Sequence, residues 1–332
     1  IDVPIERINI SRSIDIGKDL KSMYELYRYF QKNKFDLVLS LMPKAGLLSM
    51  MASCFAKSNV RIHYFTGQVW ATKKGLFRSL LKKMDHLTVL CSTNILVDSE
   101  SQKNFLLAEG ILNSFKGDVL HMGSISGVNI EKFRFNNSLR EVLRRKYEIF
   151  ENEILFLYLG RINRDKGLLE LREVFLKLEQ NFSNVKLGIF GPLEDENIAD
   201  EIQKLLEKDN VVGELSYCTN PESVLNMADV FVMPSHREGF GTVVVEAASM
   251  GIPTIGSNIY GLSDSIIDNN TGLLHRVADI EDMFLKYSNL ITNRKKIREL
   301  GINAHKRVVK DFQDEFISKI FVTYIESKLY DK

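Results

Sequence analysis

The chain holds only three cysteines among 332 residues. Cys54, Cys91 and Cys218 lie far apart, forming neither a zinc-binding pattern nor a disulfide framework, so a reducing, cytoplasmic setting is expected. Long apolar runs are missing as well. No stretch approaches the roughly 18–20 apolar residues that a membrane-spanning helix needs. Ile1-Asp2-Val3-Pro4-Ile5 reads as an extended segment, and no signal peptide is expected. An initiator Met is also lacking, which predicts a chain that starts partway into a domain. Charge of one sign is absent: 44 Lys and Arg against 43 Asp and Glu leave a formal net charge of +1. No global field therefore favours nucleic acid or strongly acidic partners. Internal repeats and low-complexity segments are absent.

What is present is the composition of an ordinary α/β protein, 45% hydrophobic and 26% charged, long enough for two domains. Helical and strand patterns alternate almost throughout, which predicts parallel sheets covered by helices. Leu20, Met23, Leu26, Tyr27 and Phe30 recur at helical spacing. Short apolar strands are expected at Phe35 to Ser40, Val60 to Phe65 and Asn94 to Asp98. A helix is expected from Gly46 to Ala56, and Ser99 is placed to cap another beginning at Glu100. A polar stretch from Asn136 to Glu153 precedes the stronger strand Ile154 to Leu159, and the domain boundary is placed there. Further strands are expected at Val185 to Phe190, Val230 to Pro234 and Pro253 to Gly256. Helices are expected over Leu168 to Gln180, Asp195 to Lys208 and nearly everything after Asp279. Two similar βα domains sharing a cleft is the architecture implied.

Two segments carry chemistry. Gly160-Arg161-Ile162-Asn163-Arg164-Asp165-Lys166-Gly167 follows a buried strand directly, and ligands of open parallel sheets bind at strand C-termini. Gly160 lets the backbone approach a ligand. Arg161 as a fork and Lys166 as a point charge suit a diphosphate; a solvated basic turn would carry the same residues. The second segment is Pro234-Ser235-His236-Arg237-Glu238-Gly239-Phe240-Gly241-Thr242, running on to Glu246. Here an apolar strand enters a glycine-flanked loop and then a helix, whose first amides near Gly241 and Thr242 form an anion site. Glu238 in the loop and Glu246 a turn or two into the helix suit a ligand bearing hydroxyls and phosphate, unless they are unrelated surface acids.

Gly160-Arg161 with Lys166-Gly167, then Glu238-Gly239-Phe240-Gly241, Glu246-Ala247 and Gly251-Ile252-Pro253, together resemble glycosyltransferase family 4. Its hallmark is a glutamate pair seven residues apart in a GT-B fold, that is, two Rossmann-like domains facing a cleft. The resemblance implies an acceptor-binding domain over 1–140, its start missing, and a nucleotide-sugar domain over 141–312. A last helix over 313–332 would cross back to the first domain. It further implies that Arg161 and Lys166 neutralise the donor diphosphate and that Glu238 lies beside the transferred sugar. Glu246 would hold the nucleotide ribose. Gly160, Gly239, Phe240, Gly241 and Thr242 would complete the donor site. No cofactor and no metal are implied. The reaction implied is sugar transfer with retention from a nucleotide-diphosphate donor, with uridine the commoner base.

In the first half, Pro43-Lys44-Ala45-Gly46, Thr66-Gly67-Gln68-Val69-Trp70 and Gly123-Ser124-Ile125-Ser126-Gly127 resemble a bacterial subset of that family. Its members extend polyprenyl-diphosphate-linked sugars in capsule, O-antigen or glycoprotein-glycan assembly. Lys44, Gly46, Thr66 and Gly67 become candidates for the acceptor site, with Lys44 on the acceptor diphosphate or else a snorkelling surface lysine. The chain departs from the family in having no glycine-rich loop near its start and Thr66 where many members carry histidine. His236 beside Glu238 is read as shaping the loop rather than as a base. Residues 73–84 combine Phe77, Leu80, Leu81 and Met84 on one helical face with Lys73, Lys74, Arg78, Lys82 and Lys83 around it. That pattern fits docking on the inner face of an anionic membrane, or a helix packed on its own domain. A sugar-nucleotide epimerase and a sugar-nucleotide-binding subunit without catalysis are the competing functions.

Overall fold

The computed structural model describes residues 4–11, 13–113 and 116–330. Ile1, Asp2 and Val3 of the expected extended opening lie outside the described residues. Pro4 and Ile5 carry no regular secondary structure.

The chain divides into two compact units, one formed by the chain up to Gly123 with the segment from Lys319 on, the other by Ser124–Ser318. The first contains a parallel sheet of β1 (Leu37–Ser40), β2 (Val60–Phe65), β3 (Asn94–Val97) and β4 (Asp118–Val119), in that order. Its helices are α1 (Ile16–Asn33), α2 (Pro43–Phe55), α3 (Gly75–Cys91) and α4 (Glu100–Ala108). Helix starts follow local chemistry. Asp15 caps α1 by accepting from Lys18 N at 3.1 Å, and Ser99 caps α4 by accepting from Gln102 N at 3.2 Å, each satisfying an amide that has no intrahelical partner. Leu26 and Phe30 of α1 pack with Val38, Leu48 and Met50. A second cluster joins Phe65, Trp70, Ile95, Val97 and Leu106.

The second unit holds α5 (Asn137–Lys146), β5 (Ile154–Leu159), α6 (Leu168–Asn181), β6 (Val185–Phe190), α7 (Ala199–Leu206), β7 (Val211–Glu214) and α8 (Pro221–Asn226). After them come β8 (Val230–Met233), α9 (Thr242–Ser249), β9 (Thr254–Ser257), α10 (Leu262–Ser265), β10 (Gly272–His275), α11 (Ile280–Ile291) and α12 (Arg294–Asp311), and then α13 (Asp314–Tyr330), which starts in this unit and belongs to the first from Lys319 on. The six strands are parallel, ordered β10-β9-β8-β5-β6-β7. Every residue of β5 and β6 is buried because helices cover both faces. Successive side chains of β5 enter opposite cores. Ile154, Phe156 and Tyr158 pack with α6 and α11, whereas Leu155, Leu157 and Leu159 pack with α9 and α12.

Residues 124–140, expected with the first domain, fold with the second. Their polar groups are anchored there. Val128 N donates to Phe312 O at 2.7 Å, Ser249 Oγ to Phe133 O at 2.7 Å, and Arg140 to the carbonyls of Asn226, Met227 and Ala228 at 3.1, 2.9 and 2.7 Å. Arg140 and Arg144 grip the Asp229 carboxylate from both sides, at 2.6 and 3.0 Å. The polar segment read as a boundary is therefore a clamp across the start of β8. In the first unit's closing segment, Tyr324 Oη donates to Asp118 Oδ2 at 2.8 Å.

Candidate active site

In the second sheet the chain leaves β5 to one side for β6 and reaches β8 on the other. The C-terminal ends of β5 and β8 therefore flank a topological switch point, where open α/β sheets form their ligand crevice. Both motif segments start there. After β5, Gly160 N donates to Phe190 O at 3.0 Å, and Tyr158 Oη donates to Arg161 O at 2.6 Å. Gly191, with φ 138°, backs onto the Gly160 carbonyl so closely that a Cβ there would overlap it. A single 3₁₀ turn over Arg164–Lys166 then ends at Gly167, whose φ of 70° is left-handed and whose Cα abuts Pro234 O. The two loops are thus pressed together.

That contact places Lys166 against Glu238. Their ammonium and carboxylate form an ion pair, with the side chains only 14% and 12% exposed. Ser235 Oγ donates to the same Glu238 oxygen at 2.8 Å. Two further links tie the loops: His236 N donates to Asp165 O at 2.8 Å, and Arg237 Nε meets Asp165 Oδ2 at 2.9 Å. His236 Nε2 lies 3.2 Å from Glu170 Oε1, and that close pairing raises the imidazole's pKa and lowers the carboxyl's. Its ring is thus engaged with α6. Arg161 stands apart, half-exposed and paired with Glu194 at 3.2 Å.

Gly241, at φ 78°, caps α9, and a Cβ on it would press Leu262 at 2.7 Å. Phe240 is buried, its ring 5.4 Å from that of Phe312, so it anchors the loop in the core. Gly239 has its carbonyl against Gly261, whose φ is 82°. Thr242 begins α9 and is exposed. Glu246, one turn further, is half-buried, and desolvation lifts its carboxyl to about 7, against the pull of Lys132 and with a push from Glu222. Lys132 itself pairs with Glu222 at 3.6 Å. Glu238 and Glu246 thus have separate partners and electrostatic settings.

In the first unit, Lys44 lies in the first turn of α2 with its ammonium 2.6 Å from Asp19 Oδ1, 2.9 Å from Ser11 O and 2.5 Å from Ser13 O. Its ammonium is thus engaged by groups of its own unit. Gly46 is buried against the ring of His63, leaving no room for a Cβ; His63 accepts or donates to Ser40 Oγ at 2.8 Å, and burial lowers its pKa to about 4. Thr66 and Gly67 follow β2 in a half-buried turn, with Gly67 at φ 118°. The helix over 73–84 begins only at Gly75, with Lys73 and Lys74 before it. Arg78 and Lys82 both pair with Glu109 at 2.7 Å and lie over the Trp70 ring at 5.1 and 5.4 Å, so they face inward. Lys73, Lys74 and Lys83 remain exposed, as do Leu76, Phe77 and Leu80.

The sequence model of the family "Glycosyl transferases group 1" matches residues 140–307. Over 312 residues the chain is 33% identical to the capsular polysaccharide biosynthesis glycosyltransferase CapM of Staphylococcus aureus, covering 93% of this chain and 81% of that one. The chain belongs to the group 1 glycosyl transferases. It is also 24% identical to the Escherichia coli UDP-Gal:alpha-D-GlcNAc-diphosphoundecaprenol alpha-1,3-galactosyltransferase over 323 residues, 96% of this chain and 82% of that one. The crystal structure of Anabaena Alr3699/HepE in complex with UDP superposes with a TM-score of 0.78 at 16% identity, over 92% of this chain and 82% of that one. The fold of this glycosyltransferase is GT-B.

For such an enzyme, sequence reasoning missed the supporting shell. Ser235, Asp165, Glu170 and Glu194 hold Glu238, Arg237, His236 and Arg161 in place. Ser235 and Asp165 lie inside the two motif segments, so spacing alone could have flagged them. Glu170 and Glu194 carry no local signal. Among the described residues, no group of three or more His, Cys, Asp or Glu is arranged to hold a metal ion.

Proposed function

We propose that this glycosyltransferase moves a hexose or N-acetylhexosamine-type sugar, with retention, from a UDP-sugar to a lipid-diphosphate-linked saccharide in surface polysaccharide assembly. The observation that carries the reading is the Lys166–Glu238–Ser235 cluster at the switch point between β5 and β8. Lys166 and Arg161 would neutralise the departing diphosphate, helped by the first amides of α9. Glu238, already bonded to Lys166 and Ser235, is suited to accept hydroxyl protons of the sugar and orient it. Glu246 would receive the ribose hydroxyls. Gly160, Gly239 and Gly241 would let the backbone approach the phosphates, with Phe240 holding the loop and Thr242 adding its amide. As the C–O bond from the anomeric carbon to the diphosphate breaks, the acceptor oxygen would bond to that carbon on the same face and pass its proton to the leaving phosphate oxygen. The S. aureus and E. coli relatives, named for capsule synthesis and for a diphosphoundecaprenol-linked acceptor, support the acceptor class.

The exposed Leu76, Phe77 and Leu80 beside Lys73, Lys74 and Lys83 support docking at an anionic membrane face. No described helix is long and apolar enough to cross a membrane. A thermal-shift series tests the donor. UDP and UDP-sugars should raise the melting temperature by mass action, and more than ADP or GDP do. Equal or absent shifts would overturn the uridine reading.

A further inference from the structure

The first unit contains a cavity of about 230 Å³ that the donor chemistry does not use. It is walled by Ile14, Phe65, Val69, Trp70, Phe77, Leu81 and Met84, with Pro43, Lys44, Gly67 and Asp85 completing the lining. The volume falls below the roughly 300–1,000 Å³ typical of pockets enclosing a whole drug-sized ligand. It therefore suits a segment of a molecule, and its lining demands that the segment be hydrocarbon.

The walls are built to persist without an occupant. Trp70 stacks on Phe105 at 5.3 Å and donates through Nε1 to Asp85 at 2.7 Å. Arg78 and Lys82 cover its ring, both fixed by Glu109. On the other side, Lys44 binds the carbonyls of Ser11 and Ser13 and so clamps the segment that presents Ile14. The Lys44–Asp19 pair thus borders the cavity at the start of α2 and fixes that edge of it. Phe77 links that cavity to the exposed Leu76 and Leu80 at the head of α3. Hydrocarbon inside, an apolar path outward and the exposed Lys73 and Lys74 just before α3 suit an isoprenoid chain joined to a diphosphate.

We infer that this cavity binds the isoprene units next to the diphosphate of the lipid-linked acceptor, so that the enzyme reads the lipid as well as the saccharide. The inference rests on the acceptor class proposed above and adds a site to it. Selectivity then follows from shape: branched isoprene units fill a short slot walled by aromatic and branched side chains, and the remaining chain leaves along Phe77 and Leu76.

Trp70 is the chain's single tryptophan, so its fluorescence reports on this wall alone. Farnesyl diphosphate titrated into the whole protein should change that emission saturably, at least about tenfold tighter than inorganic pyrophosphate, because buried methylenes add affinity. Leu81→Gln should weaken farnesyl diphosphate at least about tenfold, since its amide would face hydrocarbon, while leaving UDP stabilisation unchanged. Should that variant fail to fold, the ranking of the two diphosphates on the native protein still decides. Equal affinity for pyrophosphate and farnesyl diphosphate, or no emission change with either, would overturn the site. A protein that binds farnesyl diphosphate but is not stabilised by UDP would keep the isoprenoid site and lose the donor reading.

Discussion

The two units solve different problems with similar βα building blocks. In the second, β5, β6, β8 and β9 are buried along their whole length, and the chemistry-bearing loops are locked by Lys166–Glu238, Arg237–Asp165 and His236–Glu170. In the first, β1 alternates half-buried and buried residues, and the helix head at Leu76, Phe77 and Leu80 stays exposed beside a cavity. One unit holds fixed charges for a ligand of constant chemistry; the other offers apolar surface and an open slot. The contrast teaches that buried strands and paired charges gather at the switch point of the second sheet, whereas apolar exposure gathers at the head of α3, where the proposed lipid would be met.

The largest expected effect would break the rigid half. Asp229→Ala removes the carboxylate that satisfies Arg140, Arg144 and Leu155 N, stranding two guanidinium groups. It should cost about 3–5 kcal/mol in denaturant unfolding; a loss near zero would show that the clamp is ornamental. Next comes Glu246, whose carboxyl burial lifts to about 7 from an ordinary 4.5. Between those values the folded protein holds a proton that the unfolded chain has lost, so stability falls as pH rises and the penalty is complete above about 7. Glu246→Gln abolishes that titration. Relative to the native protein it should gain stability from pH 5 to pH 8, on the order of 3 kcal/mol at most. A difference that does not widen with pH would contradict the burial argument.

Lys166→Ala and Glu238→Ala should each lower turnover at least about tenfold, about 1.4 kcal/mol in the barrier. Near-normal turnover in both would remove the donor-site assignment. The smallest effects belong to the open half. Replacing Lys73, Lys74 or Lys83 singly with Gln should weaken binding to anionic vesicles by about 1 kcal/mol each, with the loss vanishing in high salt. An unchanged partition would confine α3 to packing within its own unit.

Much of the fold was legible in the chain itself. Val60–Phe65, Ile154–Leu159 and Val185–Phe190 coincide with β2, β5 and β6, and the Ser99 cap lies where the pattern put it. Ile154–Leu159 is a continuous apolar run, the form a strand buried on both faces takes, and the other two are apolar apart from Arg61, His63 and Lys186. β7 and β10 escaped notice because Val211–Glu214 and Gly272–His275 are short and interrupted by glycine and polar residues. The boundary was misplaced because Asn136–Glu153 is polar, as a linker would be. Its arginines point at carbonyls and Asp229, which composition does not reveal. The motif residues in the second unit were legible because glycines and charges at fixed spacing are a local signal. The cavity beside Trp70 was not, since it is assembled from Ile14, Phe65 and one turn of α3 at Leu81 and Met84, three segments far apart in sequence.

The mutual embrace of Lys166 and Glu238 has a consequence for turnover under the proposed function. At rest the crevice is electrically self-satisfied. A bare nucleoside diphosphate would draw the lysine away and leave the carboxylate with Ser235 alone, whereas the intact sugar donor would offer it hydroxyls in exchange. Under that reading the resting pair would sort full donor from spent product and hasten the spent one's departure.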